Sequence, residues 1–132
     1  MIDHISLPVQ DLDRSRAFYD RVLGALGHRR VIDQDLDDYV WCGYGEGPEP
    51  VFCIGSGKPG PAEPPVPPDG QHVAFQAKDR PTVDRFHAES LAAGATDNGA
   101  PGLREHYHPN YYAAFVIDPD GHHLEAVCHT PA

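Results

Sequence analysis

Residues 4–11 of this chain read HISLPVQD, and residues 72–79 read HVAFQAKD. The histidine and the aspartate of the two segments coincide at one constant offset, and so do the phenylalanines that follow them, Phe18 and Phe86. Apolar residues are matched between the shared positions. A repeat of this length predicts a fold built from two copies of one structural unit.

Each copy predicts a strand, a capped helix and three further strands. Residues 2–9 and 71–77 alternate between apolar and polar positions, as a half-buried strand does. Aspartates then precede helical patterns, and glycines follow their ends. The remaining strand candidates are residues 29–32, 39–44 and 51–54 in the first copy, and 103–107, 111–117 and 122–128 in the second. The predicted fold class is therefore α+β, with two βαβββ modules.

The chain has the length of one domain that can bury a core. We expect a first module over residues 1–57 and a second over residues 71–130. Residues 58–70 between them are dense in proline and glycine and show no periodicity, which is typical of a semi-extended linker.

Composition excludes several classes of partner. The formal net charge is −10 and the isoelectric point is near 5.1, so neither nucleic acid nor an anionic membrane surface is an expected partner. No signal peptide or membrane-spanning segment is apparent. The three cysteines are odd in number and widely spaced, which favours free thiols and a cytoplasmic location over a disulfide scaffold.

Strand parity brings out a candidate metal site. In both repeat strands the large apolar residues share one face, which leaves His4 and His72 on the opposite face. Glu125 differs in parity from its apolar neighbours in the last strand, after the tight-turn sequence of residues 118–121. If the two sheets curl around a shared hollow, all three side chains point into it. Two imidazoles and one carboxylate suit Fe(II), Mn(II), Co(II), Ni(II) or Zn(II), and they leave open positions for other ligands.

The alternative for each histidine alone is a hydrogen-bonded, half-buried side chain, which is the commoner role. The matched repeat positions and the glutamate favour the metal site. We rank Fe(II) and Mn(II) ahead of Zn(II), because the ligand set mixes nitrogen and oxygen without a credible thiolate.

A second polar cluster occupies residues 104–112. His106 and His108 share one parity if this segment is extended, and Tyr111 and Tyr112 follow them. Histidine titrates near neutral pH and tyrosine can donate to a substrate oxygen, so these four are candidate catalytic residues. Arg104 is a candidate substrate-binding residue. The alternative is an ordinary polar loop that is rich in aromatic residues.

Residues 4–19 and the sequence DPDGHHLE at residues 118–125 resemble the opening and closing segments of vicinal oxygen chelate proteins. This superfamily includes glyoxalase I, extradiol dioxygenases and the fosfomycin- and bleomycin-resistance proteins. The resemblance implies a cupped, eight-stranded mixed sheet with helices on its outer face. It also implies His4, His72 and Glu125 as the metal ligands.

The resemblance also bears on the reaction. Glyoxalase I has a fourth metal ligand, Glu or Gln, in the last strand of its first module. In this chain that strand contains Cys53, as a small core residue or a substrate contact, and no carboxylate or amide. Glu49 lies just before the strand. The departure favours an extradiol-type dioxygenase acting on a small organic substrate. A lactoylglutathione lyase-like enzyme, a thiol transferase and a metal-free drug-binding protein remain alternatives. We expect a homodimer, since a chain this small leaves sheet edges open.

Overall fold

The computed structural model describes residues 1–132 as two compact units, Met1–Pro65 and Val66–Ala132, here called module one and module two. The division falls inside the segment rich in proline and glycine. Each module contains one helix and four strands, which confirms the predicted α+β class with two βαβββ modules.

Module one follows the predicted order closely. Its elements are β1 (Ile5–Pro8), α1 (Leu12–Ala25), β2 (Arg29–Asp35), β3 (Tyr39–Gly45) and β4 (Phe52–Gly57). The sheet order is β1-β4-β3-β2, in which β1 runs parallel to β4 and the other neighbours are antiparallel. Strands β1 and β2 are therefore the outer strands of this sheet.

Module two repeats this topology. Its elements are β5 (His72–Gln76), α2 (Arg80–Ala92), β6 (Thr96–Leu103), β7 (Tyr112–Ile117) and β8 (His123–Cys128). The sheet order is β5-β8-β7-β6, with β5 parallel to β8. Thus β5 and β8 of module two correspond to β1 and β4 of module one.

Both helices start at the aspartates of the repeat. The Asp11 carboxylate accepts a hydrogen bond from the backbone N–H of Arg14 at 3.1 Å, and Asp79 accepts one from the N–H of Thr82 at 2.9 Å. These bonds satisfy backbone donors that have no partner inside the helix. Gly27 and Gly94 follow the helix ends with positive φ angles, which glycine adopts without steric strain.

The helices bury the apolar face of each sheet. Phe18 on α1 and Phe86 on α2 are both fully enclosed, so the matched phenylalanines of the repeat are equivalent core residues. Replacing such a residue by alanine costs about 3–5 kcal/mol. The opposite face of each sheet carries the polar and glycine positions of the candidate site.

One predicted strand was placed wrongly. The strand expected at residues 103–107 is instead β6, which ends at Leu103, and residues 105–107 form a turn. The sequence of β6 is TDNGAPGL, which is typical of turns. It forms a strand because it lies at the sheet edge, where proline and register shifts are tolerated.

Candidate functional site

Glu125 is the centre of a hydrogen-bonded group in module two. It lies on β8 opposite Phe115 of β7 and Ala74 of β5, and only 2% of its surface is exposed. Its Oε2 atom is 3.2 Å from Nε2 of His72, the first residue of β5. Its Oε1 atom accepts a hydrogen bond from the Tyr111 hydroxyl. The carboxylate is therefore buried with a partner on each oxygen, as a buried charge requires.

The Tyr111 hydroxyl keeps the proton that it donates to this carboxylate. Burial, and then the hydrogen bond to Glu125, raise the pKa of Tyr111 to about 12. The phenol therefore stays protonated across the physiological pH range. Tyr111 was predicted as a catalytic residue, and its contact with Glu125 gives it a specific position beside the candidate ligands.

A side-chain turn fixes the strand that carries Glu125. The Asp118 carboxylate accepts hydrogen bonds from the backbone N–H groups of Asp120 and His122, at 2.9 and 2.8 Å. Gly121 completes the turn with a φ angle of 91°. Because the register of a hairpin is set by its turn, this arrangement decides which face of β8 carries the glutamate.

His4 occupies the matching place in module one, immediately before β1. Its Nδ1 atom lies 2.6 Å from the carboxylate of Asp3, and its side chain is about half exposed. Ser6, two residues later, pairs with Cys53 of β4, just as Ala74, two residues after His72, pairs with Glu125. Cys53 is therefore the register counterpart of Glu125 in module one.

Cys53 brings no carboxylate to this position. Burial raises the pKa of its thiol, although a hydrogen bond to Ser6 acts in the opposite direction. A thiol with a raised pKa stays neutral near pH 7 and behaves as a small apolar side chain. The two modules thus present the same backbone position with different chemistry.

The segment after β6 is not extended. The prediction that His106 and His108 share one face depended on an extended segment. Residues 105–107 are a turn, closed by a 2.9 Å hydrogen bond from the N–H of Tyr107 to the Arg104 carbonyl. The His106 ring contacts the Tyr107 ring instead of lining one surface with His108. The shared-parity argument for these two histidines is therefore wrong, although each keeps its place beside Tyr107 or Tyr111.

The structure adds His129 to this group. Nε2 of His108 lies 2.7 Å from Nδ1 of His129, and the two rings are stacked. The backbone N–H of Asn110 donates to Nδ1 of His108, so the neutral His108 ring carries its proton on Nε2 and donates it to His129. Both rings meet the Tyr111 ring edge to face. His129 is not among the residues predicted from the sequence, although it has the same strand parity as Glu125.

Tyr112 and Arg104 have other partners. The Tyr112 hydroxyl donates to Asp84 of α2 at 2.6 Å, so this side chain faces the helix, away from Glu125. The Arg104 guanidinium lies over the Phe115 ring and donates to the carbonyls of Gly102 and Ala100. Arg104 thus shares the face of Glu125, with two of its donors already engaged. A catalytic role of Tyr112 and a substrate-binding role of Arg104 stay predictions.

Module one contains a pocket of about 560 Å³ beside His4. Trp41 and Tyr39 of β3 form aromatic walls, and Cys53 lies among the lining residues. Glycines make the pocket possible. A Cβ atom on Gly43 would lie 2.6 Å from Pro50, and one on Gly55 would lie 2.2 Å from the Tyr39 hydroxyl.

Residues 1–126 match the model of the Glyoxalase/Bleomycin resistance protein/Dioxygenase superfamily. The chain belongs to this superfamily. No curated protein matches the sequence significantly. Superfamily membership accounts for the repeated βαβββ topology and confirms the resemblance to vicinal oxygen chelate proteins. Neither helix has the length and apolar character needed to cross a membrane.

Solved structures of the same superfamily resemble the whole chain. A glyoxalase/bleomycin resistance protein from Albidiferax ferrireducens T118 is 28% identical, with a TM-score of 0.73 over 96% of this chain and 97% of that one. A glyoxylase/bleomycin resistance protein/dioxygenase domain from Frankia sp. EAN1pec is 18% identical, with a TM-score of 0.77 over 98% of both chains.

A third similar structure is that of a mutant of the genomically encoded fosfomycin resistance protein FosX from Listeria monocytogenes, complexed with Mn(II) and 1S,2S-dihydroxypropylphosphonic acid. It is 18% identical, with a TM-score of 0.69 over 98% of this chain and 90% of that one. At this identity the likeness shows a shared fold.

The donor set in module two fits part of a superfamily metal site. His72 and Glu125 place a nitrogen and a buried carboxylate side by side, which are suitable donors for a divalent transition metal. Neither module by itself brings together three His, Cys, Asp or Glu side chains that could hold a metal ion. A divalent metal bound by this pair would need a third protein ligand, and the sequence predicts His4 as that ligand.

Proposed function

We propose that this protein is a divalent-metal-dependent enzyme that binds neighbouring oxygen atoms of a small organic substrate. His4, His72 and Glu125 are its proposed metal ligands. The observation that carries the proposal is the buried Glu125 carboxylate, held between the His72 imidazole and the Tyr111 hydroxyl on one face of the module-two sheet. Burying a carboxylate costs desolvation energy even when it is hydrogen-bonded, and such carboxylates are concentrated at functional sites.

Fe(II) or Mn(II) is the proposed metal, ahead of Zn(II), Ni(II) and Co(II). The mixed nitrogen and oxygen set suits these ions, and the FosX relative was crystallised with Mn(II). Such an ion, when bound, supplies a Lewis acid and a template for two adjacent substrate oxygens.

An extradiol-type dioxygenase is the proposed reaction class. Cys53 stands at the register counterpart of Glu125, so a carboxylate that would complete a four-ligand lyase site is missing from that position. Transfer of a thiol to a phosphonate-bearing substrate would need free cationic groups, and Arg104 already donates to two backbone carbonyls. The three-ligand set leaves positions for a catecholate and a second ligand.

The chain's own residues then have separate tasks. Tyr111 holds Glu125 in one orientation, as groups behind metal ligands commonly do. His108 and His129 are the proposed groups for proton transfer beside Tyr111. They are joined by a hydrogen bond, and both contact the Tyr111 ring. The Trp41 and Tyr39 walls of the module-one pocket bind the apolar part of the substrate.

A second candidate function is metal-free binding of an aromatic compound. The module-one pocket favours it, because its volume and aromatic walls suit a small planar ligand without any metal. The His72–Glu125 pair has no evident task in such a protein.

The test begins with protein purified anaerobically without added metal. Elemental analysis and titration with Fe(II), Mn(II) and Zn(II) should show one divalent ion per chain, and oxygen uptake with a panel of catechols should depend on that ion. Failure to bind any of the three ions would reject the enzyme and leave the binding protein. Binding without oxygen uptake would keep the metal site and reject the dioxygenase.

A further inference from the structure

The lining of the module-one pocket contains acidic side chains and no basic ones. Asp3 and Glu49 are among its lining residues, and none of the lining residues is lysine or arginine. The pocket is therefore both aromatic and acidic. The chain as a whole has 20 acidic and 10 basic residues, so the general field of the protein has the same sign.

The position of Glu49 follows from how the loop between β3 and β4 packs. The Pro50 ring lies over Gly43 so closely that a Cβ atom there would be 2.6 Å away. The Glu49 carbonyl would lie 2.4 Å from a Cβ atom on Gly45. These two glycines thus let the loop fold onto the open face of the sheet. The packing of this loop therefore places Glu49 in the lining of the pocket.

The aromatic walls add to the same preference. The Tyr39 ring lies directly against Gly55, where a Cβ atom would be 2.6 Å from its Cζ atom, so its place in the pocket wall is fixed. Trp41 pairs with Gln34 of β2 on one side and with Gly55 of β4 on the other, so no side chain lies opposite it on the β4 side. Indole and phenol faces attract cations, and tryptophan does so most strongly.

We propose that the pocket selects neutral or cationic aromatic ligands and excludes anionic ones. This inference rests on the proposed function, because it takes the pocket as the substrate-binding part of the same site. It narrows the substrate to an uncharged catechol, or to one that carries an amine, and it disfavours ring substrates with a carboxylate or phosphonate side chain. Glu49 is the residue that sets this specificity, together with Trp41.

The experiment uses the only tryptophan of the chain, Trp41, as its reporter. Its fluorescence is titrated with three matched catechols: dopamine, 4-ethylcatechol and 3,4-dihydroxyphenylacetate. These carry a positive, a neutral and a negative side chain at pH 7. The titrations are anaerobic and contain EDTA, so that neither a metal nor oxidation of the ligands contributes. Dopamine should bind roughly 10-fold more tightly than the carboxylate, with the neutral ligand between them.

Two changes should reduce this preference. Glu49→Gln should lower the ratio of the two affinities about threefold, while Glu46→Gln, in the same loop but outside the pocket lining, should leave it unchanged. Raising the salt concentration to about 0.5 M should shrink the ratio in the wild type, because ions screen exposed charges.

The proposal is overturned if the carboxylate binds as tightly as dopamine, if no ligand quenches Trp41, or if Glu49→Gln leaves the ratio unchanged. The metal-free conditions keep this result apart from the proposed enzyme. A clear charge order with no metal binding would reject the enzyme alone. Metal binding without a charge order would reject only the ligand class.

Discussion

Module one and module two have the same strand order, the same capped helix and the same buried phenylalanine, yet their open faces differ. At equivalent register positions module one has Cys53 and module two has Glu125. Module one surrounds its cysteine with aromatic rings and a pocket, whereas module two surrounds its glutamate with hydrogen-bonding groups. The repeat therefore specifies the scaffold, whereas single residues on its open faces distinguish the proposed binding pocket of one module from the proposed metal ligands of the other.

The largest expected effect comes from removing one ligand in each module. His4→Ala and Glu125→Ala should each weaken metal binding by more than the ~10–100-fold that changes behind the ligands cause. Titration of metal into each variant measures this loss, and Glu63→Ala, an exposed carboxylate before module two, is the control. If either ligand variant keeps full affinity, the proposed ligand set is wrong.

The same two variants show which copy of the chain supplies each ligand. We expect a homodimer, with light scattering giving about twice 14.4 kDa. If one site draws on both chains, unfolding and refolding the mixed variants should restore roughly a quarter of the wild-type sites, all in mixed dimers. If each site lies within one chain, mixing should restore none.

We expect the three histidines near Tyr111, which are His106, His108 and His129, to affect turnover more than metal binding. His108→Ala should lower kcat by about 10²-fold if this residue transfers a proton, and His129→Ala should resemble it, because the two imidazoles share a hydrogen bond. Metal content, measured by elemental analysis, should be unchanged in both. His106→Ala tests the neighbouring ring. Full activity in all three variants would show that these histidines are not catalytic and that residues 104–111 form an ordinary polar loop.

Neighbouring tyrosines offer a matched pair of changes on opposite faces of one sheet. Tyr111→Phe removes the donor to Glu125 and should weaken metal binding about 10–100-fold. Tyr112→Phe removes the bond to Asp84 and should lower the free energy of unfolding by about 0.5–1.5 kcal/mol, with metal binding unchanged. Equal metal affinities in the two variants would contradict the role proposed for Tyr111.

The contribution of the Tyr111–Glu125 hydrogen bond to stability should depend on pH in a defined direction. The pKa of Tyr111 is raised to about 12 from an ordinary value of 10. Its contribution to stability is therefore complete below pH 10 and is lost as the pH rises towards 12 and beyond. The difference in unfolding free energy between the wild type and Tyr111→Phe, measured by urea titration at several pH values, should shrink over that window.

The smallest expected effect is a gain. Cys53→Glu gives module one the residue that module two has at the same register position, and metal affinity should rise by about 10-fold if it adds a carboxylate ligand. Cys53→Ser, which changes the thiol without adding a charge, should leave the affinity unchanged. An unaltered affinity in the glutamate variant would show that the two positions are equivalent in backbone only.

The repeat and its parity were sufficient to predict the two βαβββ modules, an aspartate before each helix and the closeness of His72 and Glu125. Strand β6 was missed because an edge strand needs only one partner, so local sequence hardly constrains it. The turn at residues 105–107 was missed because its His and Tyr residues have no turn signature. The Tyr111–Glu125 bond depends on tertiary geometry, which the sequence pattern does not contain.

The glycines that open the pocket also affect how the protein moves. Strands β3 and β4 have Gly43, Gly45 and Gly55 where β7 and β8 have none. Each such glycine weakens a strand by about 0.5–1 kcal/mol relative to alanine. The amide protons of β3 and β4 should therefore exchange with solvent sooner than those of β7 and β8. We therefore expect the module that contains the pocket to be the more flexible of the two and the module that contains Glu125 to be the more rigid.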